Sequence, residues 1–265
     1  MGEANNQKKH FVLIHGSAAG AWIWYKVKPV LQAAGHRVTA LDMAASGTNT
    51  KTIEEVRTFD KYNEPLMEFM ANLPENEKVV LVGHSLGGLN LAFAMEKFPE
   101  KISLAVFVTA ILPDTVHKPS FMLEKHAETG PKGQEWQDTV FSSYGTPEEP
   151  NTCVLMGCEF IKCTPFHLSS PEDLALHMLL NRPGSMFVES LSKAKKFTDE
   201  RYESVPKVYI VCTEDLMMSA SFQRCMIEHN NKVKEVMEIP ADHMAVFSKP
   251  KELSRSILEL ACKHA

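Results

Sequence analysis

Residues 81–88 read LVGHSLGG and contain the pattern G-x-S-x-G at residues 83–87. An apolar run precedes the pattern at residues 78–83, and an apolar helical pattern follows it at residues 87–97. The serine therefore stands where a strand ends and a helix begins, which is the context of a nucleophile elbow. In such a turn, glycines let strand and helix pack closely while the serine adopts a strained backbone conformation. We predict that Ser85 projects from the carboxyl end of its strand.

Short apolar runs rich in β-branched residues recur along the chain, with helical patterns between them. The runs lie at residues 10–15, 36–42, 78–83, 103–109, 206–212 and 234–239, and the helical patterns at 22–33, 53–72, 87–97 and in a last helix with Leu253, Ile257 and Leu260 on one face. Continuous apolar runs are typical of strands covered on both faces. The alternation predicts an α/β fold with a mostly parallel sheet and helices on both faces.

The alternation stops at residues 111–200, which contain eight prolines. The clearest helical pattern there is SSPEDLALHMLL at residues 169–180, where a serine suits the N-cap and two acidic residues suit the first turn. We predict a mainly helical cap at residues 111–200, inserted into a core formed by residues 1–110 and 201–265.

A serine hydroxyl needs a base within hydrogen-bond reach, and that base needs an orienting acid. In this arrangement the chain order is serine, acid, histidine. Asp215 follows the apolar run at 206–212, and His243 follows the last run, so both are expected at the sheet edge that carries Ser85. Glu214 is the competing candidate for the acid. We interpret Asp242 as a residue that braces the loop.

Two backbone amides are candidates for an oxyanion hole. The amide of Leu86 lies at the start of the helix after the elbow. The loop after the first strand, LIHGSAAGAW, has a glycine and small residues that let its backbone pass close to the serine. We predict that the amides of Ser17 and Leu86 are the donors.

Composition narrows the class of partner. The chain has 265 residues and a formal net charge of -5, without a long cluster of Lys or Arg. It therefore lacks the electrostatic footprint of a protein that binds nucleic acid or anionic membranes. The opening MGEANNQKKH has no apolar signal core, and no run approaches the length of a membrane span. We expect a cytoplasmic protein with a small-molecule partner.

The scattered cysteines and histidines do not predict a metal site. Cys153, Cys158 and Cys163, followed by His167, match none of the usual zinc spacings, and we interpret the cysteines as reduced thiols. We interpret the following histidines as surface or packing residues: His36, His84, His117, His177, His229 and His264. We expect neither a metal nor an organic cofactor.

Longer stretches resemble one family along almost the whole chain. They are HFVLIHG, GAWIWYKVKP, AAGHRVTALD, GHSLGG, SPEDLAL, KKFTDERY, VYIVCTED and ADHMA. These stretches resemble the plant methylesterase family of the α/β-hydrolase fold. FDKYNEPLMEFMANLPENEKVVLVGHS, PEKISLAVF and RPGSMF are most similar to its polyneuridine-aldehyde esterase branch, and somewhat less so to the salicylate methylesterases. The resemblance implies a triad of Ser85, Asp215 and His243.

Four single residues and the stretch at residues 216–219 bear on the choice of substrate. The related hydroxynitrile lyases carry a threonine and a lysine where this chain has Gly16 and Met244, so the resemblance does not imply lyase activity. His126 stands where relatives usually have a tyrosine, and residues 216–219, LMMS, also depart from the family pattern. We hypothesise that both departures remodel the pocket or its rim. Trp136 matches a pocket tryptophan of the salicylate enzymes.

The resemblance implies a carboxylesterase that acts on the methyl ester of a small plant metabolite. A monoterpenoid indole alkaloid aldehyde ester, whose acid product then loses carbon dioxide, is the first expectation. Methyl salicylate, methyl jasmonate and methyl indole-acetate follow. A ligand-sensing hormone receptor of the same fold is the alternative from another class. Because relatives dimerise, the resemblance also implies a homodimer.

Overall fold

The computed structural model describes residues 8–130, 132–147 and 149–265, so most of the polar opening segment lies outside the described residues. Its strands are β1 (His10–Ile14), β2 (Arg37–Leu41), β3 (Val79–Ser85), β4 (Ile102–Ala110), β5 (Val140–Thr146), β6 (Glu149–Leu155), β7 (Lys207–Cys212) and β8 (Val236–Ile239). Its α-helices are α1 (Val27–Ala33), α2 (Phe59–Asn72), α3 (Gly87–Lys97), α4 (Phe121–Thr129), α5 (Cys158–Cys163), α6 (Pro171–Leu180), α7 (Val188–Lys193), α8 (Ala220–Asn230), α9 (Ala245–Ser248) and α10 (Pro250–His264).

Six strands form one sheet in the order β2-β1-β3-β4-β7-β8. Every pairing in this sheet is parallel, and these strands correspond to the six apolar runs of the sequence. Parallel strands place their carboxyl ends at one edge of a sheet. The ends of β3, β7 and β8 therefore bring the segments of Ser85, Asp215 and His243 to the same edge, as the sequence predicts.

Both faces of the sheet are buried under helices. In β1, Phe11 and Leu13 face a cluster that contains residues of α1 and α10, whereas Val12 and Ile14 face a cluster that contains residues of α2, α3 and α8. This alternation is what the two-residue period of a strand requires. The predicted α/β-hydrolase architecture is confirmed.

Pro65 lies inside α2, which continues from Phe59 to Asn72. A proline in a helix interior usually kinks or breaks the helix, but here one helix continues across it. Tyr62, Leu66 and Met70 are buried on the same side of α2. Their packing against the core holds the helix together, since tertiary contacts supply most of the stability of a helix in a protein.

The insertion contains α4 to α7 and an antiparallel hairpin of β5 and β6 that the sequence did not predict. The side chains of β5 are exposed except for Tyr144, which is half-buried. A strand that buries neither face shows no apolar alternation. Pro147 and Pro150 also do not indicate strands, because proline cannot donate to the hydrogen-bond ladder of a sheet.

Arg182 connects the insertion to the core. Its guanidinium donates to the backbone carbonyls of Gly47, Asn49 and Lys51, at 3.1, 2.6 and 2.7 Å. Gly184, two residues later, pairs with Val154 of β6. The hairpin and the loop after β2 are therefore linked through one short segment.

Among the helices of the described residues, none is long and apolar enough to cross a membrane.

Truncating a leucine in the core should be far more costly than truncating one on the surface. Leu253 of α10 is fully buried, whereas Leu179 of α6 is 82% exposed. We expect Leu253→Ala to lower the free energy of unfolding by about 2 to 5 kcal/mol. Leu179→Ala should change it by less than about 0.5 kcal/mol. Urea denaturation followed by circular dichroism measures both, and equal losses would contradict the burial of α10.

Candidate active site

Ser85 has the backbone geometry of a nucleophile elbow. Its φ is +55°, a left-handed conformation that is strained for a residue other than glycine. The surrounding glycines permit it: a Cβ at Gly83 would lie 2.8 Å from Leu91, and one at Gly87 would lie 2.9 Å from the carbonyl oxygens of Ile14 and His15. Strand β3 ends at the serine and α3 begins two residues later. The predicted strand, turn and helix are thus present.

Three side chains at this edge form a hydrogen-bonded chain. His243 Nδ1 lies 2.7 Å from Asp215 Oδ2, and His243 Nε2 lies 3.1 Å from Ser85 Oγ. Since the carboxylate accepts from Nδ1–H, Nε2 is left to accept the serine hydroxyl proton. This is the geometry in which a histidine acts as general base toward a serine.

Asp215 is buried and fully hydrogen-bonded. Its Oδ1 accepts from the amides of Met217 and Met218, at 2.8 and 2.7 Å, and Oδ2 also accepts from Thr109 Oγ1 at 2.6 Å. Burial alone would raise the pKa of Asp215, but the charge of His243 and these hydrogen bonds outweigh it and hold the pKa below its usual value. Asp215 is therefore ionised at neutral pH.

Two buried histidines fix the loops around the serine. His84 donates from Nε2 to the carbonyl oxygen of His243 at 2.8 Å, and burial together with the neighbouring His243 lowers the pKa of His84 to about 3. His15 donates from Nδ1 to the carbonyl of Gly16 at 2.7 Å and accepts from the amide of Met43 at 3.0 Å. Both rings stay neutral and hold the neighbouring loops in place through hydrogen bonds to their backbone.

The loop after β1 passes directly against the serine. A Cβ at Gly16 would lie 2.8 Å from Ser85 Cβ and 3.3 Å from Ser85 Oγ, so a glycine is required for this approach. Ser17 lines the cavity beside Ser85. Leu86 is the N-cap residue of α3. The structure thus places both predicted oxyanion residues next to the serine.

Asp242 braces the histidine loop, as the sequence predicts, and also binds the insertion. Its Oδ1 accepts from the amide of Met244 and the hydroxyl of Ser248, at 3.1 and 2.7 Å. Its Oδ2 accepts from the amide of Leu168 and the hydroxyl of Ser169, at 3.0 and 2.9 Å. One carboxylate therefore joins the loop of His243 to the segment before α6.

A narrow cavity of about 50 Å³ lies over Ser85 and His243. Its lining is mostly apolar and includes four methionines, Met156, Met186, Met217 and Met244. Methionine side chains rotate about three bonds and adapt to irregular shapes. A ring-sized acyl group therefore requires these side chains to change rotamer.

Two of the predicted substrate-binding residues lie outside this lining. Trp136 packs against the buried ring of Phe160, with centroids 4.8 Å apart. His126 donates from Nε2 to the carbonyl of Met217 at 2.7 Å and borders a neighbouring cavity of about 410 Å³, together with Leu216 and Ser219. The two departures from the family pattern thus touch each other, whereas Gly16 and Met244 line the cavity over Ser85.

His177 lines the cavity over Ser85. From the sequence we interpreted it only as a surface or packing residue. It is 5% exposed, and burial lowers its pKa to about 4. It lies on α6, where the apolar residues around it gave no sign that this histidine faces a site. Only the fold of the insertion brings it there.

The competing candidates lie elsewhere. Glu214 is exposed, and its amide donates to the carbonyl of Ala241. Cys153 is buried, whereas Cys158 and Cys163 are exposed. Within residues 8–130, 132–147 and 149–265, no group of three or more His, Cys, Asp or Glu side chains is placed to hold a metal ion.

Comparison with known proteins identifies relatives along the whole chain. A family model of the alpha/beta hydrolase fold matches residues 9–250. Salicylic acid-binding protein 2 from Nicotiana tabacum is 56% identical over 257 residues, which cover 97% of this chain and 98% of that protein. Methylesterase 1 from Arabidopsis thaliana is 52% identical over 259 residues, which cover 97% of each chain.

A solved structure shows the same likeness in three dimensions. The crystal structure of polyneuridine aldehyde esterase has a TM-score of 0.93 and 47% identity, and the match covers 96% of this chain and 100% of that one. The Rauvolfia serpentina sequence of that enzyme is 48% identical. Over the whole chain, salicylic acid-binding protein 2 is therefore more similar than polyneuridine aldehyde esterase, the reverse of the order expected from short motifs, which sample few positions.

Adding a methyl group at Gly16 should slow the reaction of Ser85. The new Cβ would displace the serine, and a misplacement of about 1 Å costs on the order of 100-fold in rate. We expect Gly16→Ala to react with a fluorophosphonate at least about tenfold more slowly than wild type, as measured by mass spectrometry. Ala18→Gly, in the same loop, relieves a φ of +56° and should react normally. Equal rates for all three proteins would contradict the close approach.

Proposed function

Because the chain belongs to the α/β-hydrolase family and, within it, to the plant methylesterases, we propose that Ser85, His243 and Asp215 hydrolyse the methyl ester of a small metabolite. The observation that carries the proposal is the hydrogen-bonded chain from Asp215 through His243 to Ser85, at 2.7 and 3.1 Å. The chain is a carboxylic ester hydrolase of the methylesterase type; the roles of its residues and its substrate are what we propose.

The reaction proceeds in two halves. His243 Nε2 takes the proton of Ser85 as the hydroxyl oxygen attacks the ester carbonyl, and the same proton then passes to the departing methoxide to give methanol. Water attacks the acyl-enzyme with His243 again as base, and the acid leaves. Asp215 holds the imidazole in the required tautomer and stabilises its charged form.

The developing oxyanion is stabilised by the amides of Ser17 and Leu86. The position of Leu86 at the start of α3 supports this role, since helix N-termini favour negative charge. The approach of Gly16 to Ser85 supports the role of Ser17, because it brings the loop within reach of the attacked carbonyl. Removing one such donor typically costs about 2.7 to 4 kcal/mol of transition-state stabilisation.

A small aromatic methyl ester requires less rearrangement of the cavity over Ser85 than a polycyclic ester does. The 56% identity to a protein named for salicylic acid binding favours methyl salicylate, with methyl jasmonate and methyl indole-acetate in the same panel. A monoterpenoid indole alkaloid aldehyde ester is the second candidate, supported by the 48% identity to polyneuridine aldehyde esterase. An acid with a neighbouring aldehyde would then lose carbon dioxide after hydrolysis.

The first test is hydrolysis of these methyl esters by wild type and by Ser85→Ala, with product acids followed by mass spectrometry. We expect repeated turnover by wild type and loss of on the order of 10⁶-fold in kcat for the variant, because no nucleophile remains. Turnover that survives in Ser85→Ala would overturn the proposal. Binding without turnover by either protein would instead support a ligand-sensing role, the alternative class.

Removing the charge at Asp215 tests whether this residue is the acid that orients His243, because asparagine keeps the shape of the side chain. Asp215→Asn favours the wrong tautomer of His243, and we expect a loss of about 10⁴-fold in kcat. Glu214→Gln makes the same chemical change at the exposed neighbouring residue and should retain wild-type kcat. If Glu214→Gln shows the larger loss, the acid has been assigned to the wrong residue.

A further inference from the structure

A buried histidine of the insertion lines the cavity that also contains the serine. His177 of α6 is 5% exposed and shares the cavity with Ser85 and His243. Among the residues that the structure describes, neither of its ring nitrogens has a hydrogen-bond partner. A buried polar group without a partner is destabilising, so a polar ligand group that enters the cavity and bonds to this ring would relieve the cost.

Aromatic rings surround the imidazole. The centroid of Phe166 lies 4.7 Å from that of His177, and the centroid of Trp22 lies 5.4 Å from it. The indole N–H of Trp22 is not bonded to His177, and within the described part of the chain it also has no partner. These apolar faces hold the ring in place but satisfy none of its hydrogen-bonding groups.

The ring is neutral, because burial lowers its pKa to about 4. A neutral imidazole has one donor nitrogen and one acceptor nitrogen. A hydroxyl group both donates and accepts, so it pairs with either nitrogen in either tautomer. A charged group gains no counter-ion from a neutral ring and would lose its hydration in this apolar cavity.

We propose that His177 forms a hydrogen-bonding subsite for an uncharged polar group, foremost a hydroxyl, on the acyl part of the ester. The subsite rests on the proposed function, since it is defined by an ester whose carbonyl lies at Ser85. His177 is a specificity-determining residue and takes no part in the proton transfers of Ser85 and His243.

His84 is the other buried histidine of the cavity with an unpartnered nitrogen, within the described residues. A Cβ at Gly16 would lie 3.3 Å from His84 Nδ1, so this nitrogen faces the loop after β1. His177 instead enters from the insertion. The two histidines therefore belong to different elements, β3 and α6, and a variant at His177 leaves His84 in place.

The experiment compares two esters that differ by one hydroxyl, methyl salicylate and methyl benzoate. kcat/KM is measured for full-length wild type, His177→Phe, His177→Gln and His167→Phe. Phenylalanine keeps the ring without its nitrogens, whereas glutamine keeps a donor and an acceptor. His167 is half-buried in the neighbouring segment, outside the cavity lining, and bonds the carbonyl of Thr164, so His167→Phe is the matched control.

We expect wild type and His167→Phe to prefer methyl salicylate by about tenfold or more, since a site that hydrogen-bonds a hydroxyl discriminates against the analogue that lacks it. His177→Phe should bring the ratio close to one, and His177→Gln should restore part of it. The proposal is overturned if His177→Phe keeps the wild-type ratio, or if it lowers kcat/KM for both esters equally, which is the result of a packing role.

A binding measurement separates this inference from the proposed function. In Ser85→Ala, the additional His177→Phe substitution should weaken methyl salicylate binding by about tenfold in calorimetry and change methyl benzoate binding less. If wild type hydrolyses other methyl esters of the panel but neither of these two, methyl salicylate is not its substrate, and if it hydrolyses none of the panel, the proposed function fails; in both cases the calorimetric comparison still decides the subsite. Equal dissociation constants for methyl salicylate with and without His177 would overturn the inference.

Discussion

The backbone of Ser85, held at a φ of +55°, is the constraint on which the site depends. The turn keeps this strained conformation because strand β3, helix α3 and the loop after β1 pack within van der Waals distance around it, at positions where only glycine fits. The same packing sets the distance from Ser85 to His243 and brings the loop of Gly16 beside the hydroxyl. The strained backbone of Ser85, the close approach of Gly16 and the alignment of Ser85 with His243 therefore all result from this packing.

The sheet, and the positions of the candidate catalytic residues at its edge, were predictable because both follow from local patterns. Continuous apolar runs mark strands that are buried on both faces, and a parallel sheet then fixes where the segments of Asp215 and His243 must meet. The hairpin of β5 and β6 was not predictable, because exposed strands such as β5 have no apolar alternation. The continuity of α2 across Pro65 depends on tertiary packing, which local propensity does not describe.

The site residues that belong to the core were predictable from the sequence, whereas the positions of those that belong to the insertion were not. Ser85, Asp215 and His243 follow strands directly, so the strand pattern places them. His177, Trp136 and His126 belong to a segment whose helices are positioned by contacts between distant residues. The sequence therefore did not show that His177 faces the cavity, or that His126 reaches the carbonyl of Met217 beside the acid.

The carboxylate of Asp242 joins the insertion to the loop of His243 through hydrogen bonds. One oxygen of its carboxylate is bonded to Met244 and Ser248, and the other to Leu168 and Ser169. The insertion is thus not a module that can be exchanged freely to transfer substrate preference from a relative. A grafted segment has to supply an amide and a hydroxyl at these two positions, because without them the buried carboxylate of Asp242, which precedes His243 in the chain, loses half of its donors.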